Sequence, residues 1–440
     1  MQNKYRSLRS AAVRPHNRRL VLQLLRANGG LTRPTIAAAS GLSPAAVSSV
    51  VGGLIGDGLV TETTPSPSAS RRPVGRPATT LQLDARARCV LAVQIGARLI
   101  QVGITELDAG LLAHASMPLE TDEPAERTLD GVASALRRMI DDTGRSAGDV
   151  LGVGVGAAGL VDRAGRRNVV AANSGWRDVP IADLLEGALD LPVTVDHNVR
   201  AMAMGEARYG HGTDVESLMY VYARSGLGVG LVLEGNPYRG GRLGSHEIAH
   251  IAVPSGTDCT CGKRGCVETV VSDRGLLRQL RAAGLTESSE IDADVIDRFV
   301  AAVERGDSAA CDVRDEIVSA LATALAASVE LVDPQLVVVG GLLDECQAVL
   351  LDELRIRTAE RVTPWTRSGL RIVSTAFGAA SGLVGAATLA LDTFLFGMTP
   401  LRESIVDARL AANAAARRTT VPRRTVHTAA QQPSRGRRTT

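Results

Sequence analysis

The sequence has little cysteine, and the few cysteines are unevenly placed. Only six of the 440 residues are cysteine. Three of them, Cys89, Cys311 and Cys346, are scattered through apolar runs, where a thiol usually fills a core. The other three lie within the eight positions from Cys259 to Cys266. This distribution excludes a disulfide-stabilised secreted domain and indicates a reducing compartment, the cytoplasm.

The sequence also lacks a secretory signal and an uninterrupted apolar run of membrane length. No apolar h-region follows the N-terminus. The longest apolar stretch, residues 378–398, is rich in glycine and alanine and is interrupted by Asp392. It therefore predicts a buried helix rather than a membrane span, and we expect no membrane partner.

Negatively charged residues are scarce at each end of the chain. The net charge of the whole sequence is only +2, but residues 1–88 carry +10, residues 401–440 carry +7 and the centre carries −15. A polyanionic partner is therefore expected at the ends and not at the centre. An arginine-rich N-terminus is also typical of transit peptides, but here it contains a folded-domain pattern. The length predicts two or three domains.

One imidazole and three thiols lie within seventeen residues, at His250, Cys259, Cys261 and Cys266. Cysteine and histidine are the ligands that tetrahedral zinc prefers, and glycines between the cysteines allow the backbone to fold around an ion. We predict that His250 completes the ligand set from a preceding strand. Four protein ligands leave no position for water, so the zinc would be structural. The alternative is three unrelated buried cysteines.

Residues 15–60 have the pattern of a winged helix-turn-helix. An apolar stripe over residues 20–25 predicts a first helix, a second short helix spans residues 32–39, and Ser43 caps a third helix that has Pro44 at its first position. The start of the third helix would lie in the major groove. The candidate DNA contacts in this region are Arg33, Ala45, Ser48 and Ser49. The alternative is a three-helix bundle that contacts protein, which the local positive charge disfavours.

Residues 63–88 are rich in proline, serine and arginine and predict a linker without a core of its own. Arg72 and Arg76 lie within it, and Arg76 is part of a Gly-Arg-Pro element that could place a guanidinium in an A·T-rich minor groove. An ordinary solvated basic linker is an equal alternative. Residues 399–440 predict a disordered basic tail.

From residue 89 onward, strand and helix patterns alternate. Strands are predicted over residues 90–95, 101–105, 150–155 and 193–195, and a helix over residues 128–140. Such alternation predicts layers of helices on sheets, an α/β fold.

The segment that begins with Glu247 and His250, continues through Cys-x-Cys-Gly-x-x-Gly-Cys and ends at Glu268 resembles the signature of the ROK family of repressors and sugar kinases. The resemblance covers residues 89–398, and the helix-turn-helix before it is typical of the family's regulators. Ala249 stands where the family usually has glycine. The resemblance implies a two-lobed, actin-like (ribonuclease-H-like) domain.

The kinase residues that the resemblance implies are missing at three positions. Gln94 replaces the aspartate of the first phosphate loop, and a carboxamide lacks the charge that magnesium requires. Arg98 replaces a small threonine in the same loop. Asn198 replaces the aspartate base and cannot accept a proton from a sugar hydroxyl. His197 as a substitute base is the weaker alternative. We therefore expect no enzyme activity and no bound ATP, although the glycines of residues 225–230 remain.

The resemblance implies that sugar recognition is better kept than catalysis. Carboxylates and amides suit neighbouring hydroxyls, since each can bridge two of them. Trp176 is predicted to be a core aromatic. The residues expected to surround the sugar are Asn173, Asn198, Glu247, His250 and Glu268.

Together these observations predict a sugar-responsive DNA-binding transcriptional regulator, a repressor in type, with a winged helix-turn-helix at residues 1–62, a linker at 63–88, the ROK domain at 89–398 and a basic tail at 399–440. The expected partners are a sugar effector and a double-stranded operator, an A·T-rich inverted repeat bound by a homodimer or tetramer. The alternative is an active ROK sugar kinase that carries a DNA-binding head. A regulator that responds to a protein partner instead of a sugar is a third, weaker hypothesis.

Overall fold

The computed structural model describes residues 10–63, 79–120, 123–171, 174–240 and 248–397. We refer to residues 10–83 as the head and to residues 84–397 as the body.

The head consists of three helices and a two-stranded wing. Its elements are α1 (Ser10–Asn28), α2 (Arg33–Ser40), α3 (Pro44–Gly56), β1 (Val60–Thr63) and β2 (Thr80–Leu83).

Local hydrogen bonds fix the helix starts of the head where the sequence predicts them. The Thr32 hydroxyl accepts a hydrogen bond from the Thr35 amide, and the Ser43 hydroxyl accepts one from the Ala46 amide, which are N-cap arrangements. Between these helices Gly41 has φ +69°, a conformation that glycine adopts without strain. The predicted helix-turn-helix is therefore confirmed, and its wing starts at Val60.

The prediction that residues 63–88 form a linker is wrong for one short segment, which forms a strand. β2 lies inside residues 63–88, pairs antiparallel with β1, and forms the second strand of the wing. Leu81 is fully buried in β2 and also exchanges backbone hydrogen bonds with Leu31, just before α2. The proline- and arginine-rich composition of the surrounding residues obscures this short strand, whose only strong apolar signals are Leu81 and Leu83.

The first lobe of the body is built on a five-stranded sheet in the order β10-β6-β3-β4-β5, in which β3, β6 and β10 are parallel. β7, β8 and β9 form a separate three-stranded sheet. The elements of this lobe are β3 (Cys89–Ile95), β4 (Leu99–Glu106), β5 (Leu111–Pro118), α4 (Ala125–Asp142), β6 (Val150–Ala157), β7 (Leu160–Val161), β8 (Asn168–Ala171), β9 (Trp176–Val179), α5 (Ile181–Leu189) and β10 (Val193–His197), with a 3₁₀ turn at Ala147–Asp149.

The second lobe is built on a sheet in the order β13-β12-β11-β14-β15. Its elements are α6 (Asn198–Tyr209), β11 (Leu218–Ala223), β12 (Leu227–Leu233), β13 (Asn236–Pro237), a 3₁₀ turn (Ile248–His250), α7 (Glu268–Val271), α8 (Asp273–Ala282), α9 (Ala293–Glu304), α10 (Ser308–Val332), β14 (Leu336–Gly341), α11 (Leu342–Glu345), α12 (Gln347–Arg361), α13 (Pro364–Gly369) and β15 (Arg371–Ser374). The described chain ends with a 3₁₀ turn (Gly378–Ala380), α14 (Ser381–Leu391) and a π-helical turn (Asp392–Phe396).

Two helices in backbone contact join the lobes. α6 packs on β11 and β12 of the second lobe, whereas α14 packs on β3 and β6 of the first. The helices meet at Gly385, where a Cβ atom would lie 2.6 Å from the Ala201 backbone, and at Gly205, where one would lie 3.3 Å from Gly385. A movement of α6 therefore acts directly on α14.

The apolar stretch near residue 390 forms α14 and the turn after it, as predicted. The segment Gly378–Phe396 is long and apolar enough to span a membrane, but 78% of its most apolar window is buried within the fold. The only other described segment that passes the same test is the bent pair of α2 and α3, which is the helix-turn-helix itself.

The head is packed against the body. A single cluster of buried apolar side chains contains Leu24 and Leu25 of α1 together with Leu391, Leu395 and Phe396 of the body. The Gln23 amide adds hydrogen bonds of 2.8 and 3.0 Å to the carbonyls of Phe396 and Gly397. The orientation of the head is thus fixed by contacts with the end of α14.

Candidate sugar, metal and DNA sites

The predicted zinc ligands converge. One donor atom from each of His250, Cys259, Cys261 and Cys266 lies within 4.8 Å of all the others. The Sγ atoms of Cys261 and Cys266 are 3.6 Å apart, and Cys259 Sγ is 3.8 Å from His250 Nδ1. Zn–S bonds of about 2.3 Å in a tetrahedron place sulfur atoms about 3.7 Å apart, so this donor set fits zinc in both spacing and chemistry.

Two glycines shape the loop that presents the cysteines. Gly262 and Gly265 have φ +86° and +91°, where a side chain would be strained. The Cys259 amide donates to the Lys263 carbonyl at 2.9 Å, which closes the turn. His250, however, lies in the 3₁₀ turn Ile248–His250 and not on a strand, so that expectation is wrong. The turn brings the imidazole back toward the loop, which an extended chain would not do.

Asn198 and Gln94 lie on either side of Gly156 in the first lobe. Gly156 pairs with Gln94 on β3 and with Asp196 on β10. A Cβ atom on Gly156 would lie 2.9 Å from Gln94 Oε1 and 3.4 Å from Asn198 Cα. Both side chains are buried, and no donor among the described residues reaches Gln94 Oε1. The carboxamides of Gln94 and Asn198 therefore lie close together.

Asp196 lies two residues before Asn198, and it is held by two arginines. Arg200 Nε lies 3.0 Å and Arg239 Nη2 also 3.0 Å from its oxygens. Burial alone would raise the pKa of Asp196, but the hydrogen bonds and charges of Arg200 and Arg239 outweigh it and hold the pKa below its ordinary value. Asp196 is thus an ionised, fully paired carboxylate, which makes it a poor proton acceptor.

Glu268 links the metal loop to the second glycine loop. It is the first residue of α7, two positions after Cys266. Its Oε2 accepts a hydrogen bond of 3.1 Å from the Leu227 amide and lies close to Gly226. Only Oε2 takes part in that bond, and the carboxylate is half-buried at the second lobe.

Two of the five expected sugar residues, Asn173 and Glu247, lie outside the described residues. Trp176, in contrast, is 5% exposed and packs in the apolar core of the first lobe. Its role as a core aromatic is therefore confirmed.

Arg98 lies in the turn between β3 and β4 and reaches the other lobe. Its Nη1 is 3.4 Å from the Glu290 carboxylate, and both side chains are well exposed. Such a pair contributes little to stability. It nevertheless places an arginine and its partner across from each other on the two lobes.

An ion cluster that the sequence analysis missed lies at the end of the second-lobe sheet. Arg224 directly follows β11, and its guanidinium pairs with Glu345 on α11 and lies 3.7 Å from Asp273. Burial raises the pKa of both Asp273 and Glu345, while Arg224 opposes that rise. Ligands of α/β folds bind at the carboxyl ends of parallel strands, and β11 and β14 are parallel here. The residues are 49 to 121 positions apart, so no local motif marks them.

The head presents small residues at the start of α3. Ala45, Ser48 and Ser49 are exposed, whereas Val47, Val51 and Leu54 face the core. The candidate DNA contacts Ala45, Ser48 and Ser49 therefore lie on the outward face of α3.

Several arginines of the head are already paired. Arg33 Nη2 lies 2.5 Å from Glu62 on the wing, and Arg18 Nη1 lies 2.6 Å from Asp57. These pairs lower the positive potential of the described head below what its composition implies. Arg72 and Arg76 lie outside the described residues.

Comparison with known proteins identifies both parts of the chain. Residues 90–393 match the model of the ROK family, about two thirds of the sequence. The chain belongs to the ROK family. Residues 14–61 match the model of a winged helix-turn-helix DNA-binding domain. The ROK domain therefore has the two-lobed, actin-like fold, preceded by a winged helix-turn-helix.

Three relatives show how the matches are distributed. The xylose repressor of Bacillus spizizenii is 24% identical over 385 residues, 87% of this chain and 97% of its own. A glucokinase of Streptomyces coelicolor is 31% identical over 320 residues, 69% of this chain and 97% of its own. The crystal structure of a ROK family transcriptional regulator, a homologue of the Escherichia coli MLC protein, superposes with a TM-score of 0.73 at 24% identity and covers 90% of this chain and 99% of its own.

Proposed function

We propose that this ROK protein is a sugar-responsive transcriptional regulator, a repressor in type, whose body binds a sugar without phosphorylating it. The observation that carries the proposal is the DNA-binding head docked on the ROK body. It is supported by Asn198, at the position where the family resemblance implies the catalytic base. The relatives that match the head as well as the body are named as regulators, whereas the glucokinase matches a stretch about as long as the body alone.

The arrangement around Asn198 supports a silent kinase site. Asn198 cannot take a proton from a hydroxyl, and Asp196 beside it is held by Arg200 and Arg239. Gln94 offers no charge to a magnesium ion. The carboxyls of Asp273 and Glu345 at the edge of the second-lobe sheet disfavour a nucleotide phosphate there, so ATP is not an expected cofactor.

For the sugar we propose hydrogen bonds from two groups of residues. Asn198 lies at the start of α6 beside Gly156 of the first-lobe sheet, and His250 and Glu268 lie at the metal loop of the second lobe. The remaining members of the proposed ligand set are Asn173 and Glu247.

The zinc would hold this second side in shape. His250 and the three cysteines would fill its coordination shell, which leaves no site for an activated water, so the ion would be structural. Because Glu268 follows Cys266 by two residues, loss of the ion would displace Glu268 together with the loop.

For DNA we propose that Ala45, Ser48 and Ser49 contact the major groove, with Arg33, Arg72 and Arg76 on phosphates or in the minor groove. Small side chains make few bidentate base contacts, so specific binding requires two heads. The expected assembly is a homodimer or tetramer on an A·T-rich inverted repeat, and the expected location is the cytoplasm.

Two measurements test the proposal on the full-length protein. A random-sequence duplex pool should yield an inverted repeat that the protein binds in a salt-sensitive manner. Thermal unfolding against xylose, glucose, amino sugars and sugar phosphates should show at least one stabilising sugar, because a ligand of the folded state raises stability. Sugar binding accompanied by ATP turnover would instead establish a kinase with a DNA-binding head.

A further inference from the structure

A buried cluster of three charges lies where the head meets the body. Asp392, in the π-helical turn after α14, pairs with Arg26 of α1 at 2.5 Å and with Arg208 of α6 at 3.3 Å. The side chains of Arg26 and Asp392 are only 9% and 4% exposed. The guanidinium of Arg26 also lies 4.1 Å from the centre of the Phe396 ring. The head is thus held to both central helices of the body by a single carboxylate.

A buried ion cluster of this kind adds little to the free energy of unfolding. Burying an ion pair costs much of what the attraction returns, and apolar residues of similar size often hold a structure equally well. The charges do fix one geometry, because Arg26 and Arg208 must both reach the two oxygens of Asp392. Burial alone would raise the pKa of Asp392, but its arginines hold the pKa below the ordinary value, so the carboxylate stays charged.

α6 connects this cluster with the candidate sugar site. Asn198 is its first residue and Arg208 its eleventh, a separation of about 15 Å along the axis. Asp196, two residues before the helix, and Asp392 both line one cavity, together with Met204 and Arg208 of α6. One helix therefore carries Asn198 of the proposed sugar site at one end and, at the other, Arg208, which contacts the carboxylate that holds Arg26 of the head, with free volume beside it.

The π-helical turn is the element that could change. A π-helical turn contains one residue more than an α-helical turn and is often found at functional positions. Its last residue, Phe396, and the following Gly397 accept the hydrogen bonds of Gln23. A change of turn type would therefore move the carbonyls that hold α1, and α14 is in backbone contact with α6.

We propose that α6 couples occupancy of the sugar site to the position of the DNA-binding head, through the contacts of Arg208 and Arg26 with Asp392. The inference rests on the proposed regulator function and names the residues through which regulation acts. Coupling between two sites is reciprocal, so DNA bound to the head must also alter the sugar-site end of α6.

Hydrogen exchange of the full-length protein tests this without knowledge of the effector. The probe is a duplex that the protein selects from a random-sequence pool. We expect DNA to change the exchange of residues 198–209 in the wild type. In Arg208→Met the duplex should still bind, because Arg26 keeps its contact with Asp392, but the change in α6 should be lost. Arg208→Lys, which keeps the charge, should restore part of it.

The matched control is Arg357→Met. Arg357 is as exposed as Arg208 and also pairs with carboxylates, Glu353 and Asp315, but it lies on α12. It should behave like the wild type. Asp392→Asn provides a second test of the cluster and should lose the response as Arg208→Met does.

A second readout uses xylose and glucose as probes. Typical coupling changes affinity by about 5- to 150-fold. Where either sugar shifts the affinity of the wild type for the duplex by such a factor, Arg208→Met should reduce the shift to about twofold or less while leaving sugar binding intact. The proposal is overturned if Arg208→Met retains the wild-type exchange response, or if DNA leaves α6 of the wild type unchanged. Failure of the wild type to bind any duplex would overturn the proposed function itself.

Discussion

Arg200 pairs with Asp196, four residues earlier in the chain, and both side chains are almost fully buried at the start of α6. Asp196 is thereby used for structure, because Arg200 and Arg239 both pair with its carboxylate.

We predict that Asp196→Asn lowers the free energy of unfolding by about 3–5 kcal/mol, because it leaves buried Arg200 without its anion. Since the pKa of Asp196 is below its ordinary value in the folded state, its contribution is present at neutral pH and is lost as the pH falls through that lowered pKa. Denaturant unfolding at several pH values measures this. The control is Asp178→Asn, whose pair with Arg167 is exposed and should contribute at most about 1 kcal/mol.

The protein should not phosphorylate sugars. An ATP-consumption assay across common hexoses should stay far below about 1 s⁻¹, an ordinary enzyme rate, with a ROK glucokinase run in parallel. Asn198→Asp alone should not restore turnover, since Gln94 still lacks the charge for magnesium. Turnover at an ordinary rate by the wild type would refute the regulator interpretation of the site.

One zinc ion per chain should copurify and resist dialysis. Cys261→Ser should lower metal content, thermal stability and sugar response together, because the loop also positions Glu268. Cys311→Ser, a half-buried cysteine outside the cluster, should change none of these. A metal-free protein with full stability and sugar response would contradict the assignment.

Sugar affinity should depend on the carboxylates beside the metal loop. Glu268→Ala and Glu247→Ala should each weaken binding of the best sugar by about 10- to 100-fold, the usual effect of losing a charged hydrogen bond of about 1.5–3 kcal/mol. Calorimetry provides the affinity, and Glu304→Ala, an exposed glutamate on α9, is the control. Unchanged affinity in both variants would place the ligand elsewhere.

Operator preference should depend on the outward face of α3. Ser48→Tyr and Ser49→Tyr in the full-length protein should change the sequences that it selects from a random pool, because these side chains lie at the end that enters the major groove. Ser116→Tyr, on the exposed strand β5 of the body, should leave the selected sequences unchanged. Identical preferences for all three variants would exclude α3 as the recognition helix.

Local signals made much of the fold predictable. Thr32, Ser43 and Pro44 mark helix starts through their own side chains, and the four predicted metal ligands, which the structure brings together, lie close enough in sequence for their spacing to indicate them. The glycine-rich stretch that begins at Gly378 was correctly predicted as a buried helix, because its apolar composition is also a local signal.

Long-range contacts could not be predicted in this way. The partners of Asp392, Arg26 and Arg208, are 366 and 184 residues away, and the Arg224 cluster joins three separate elements. β2 was missed because it forms by pairing with β1 when the chain folds back, and its own composition does not indicate a strand. His250 was placed on a strand because a single histidine carries no signal for a 3₁₀ turn.

The pairing of β1 with β2 has a consequence for how this protein can be divided. The head is one physical unit made from two stretches of chain, with residues 64–78 between them. A chimera that transplants only residues 1–62 onto another body would leave behind Leu81, which is fully buried in the apolar core of the head. A functional transplant must include β2. It must also include a surface on the body that contacts the head as Phe396 and Gly397 do here. The unit that can be transplanted from this chain is therefore the head together with the body surface against which it packs.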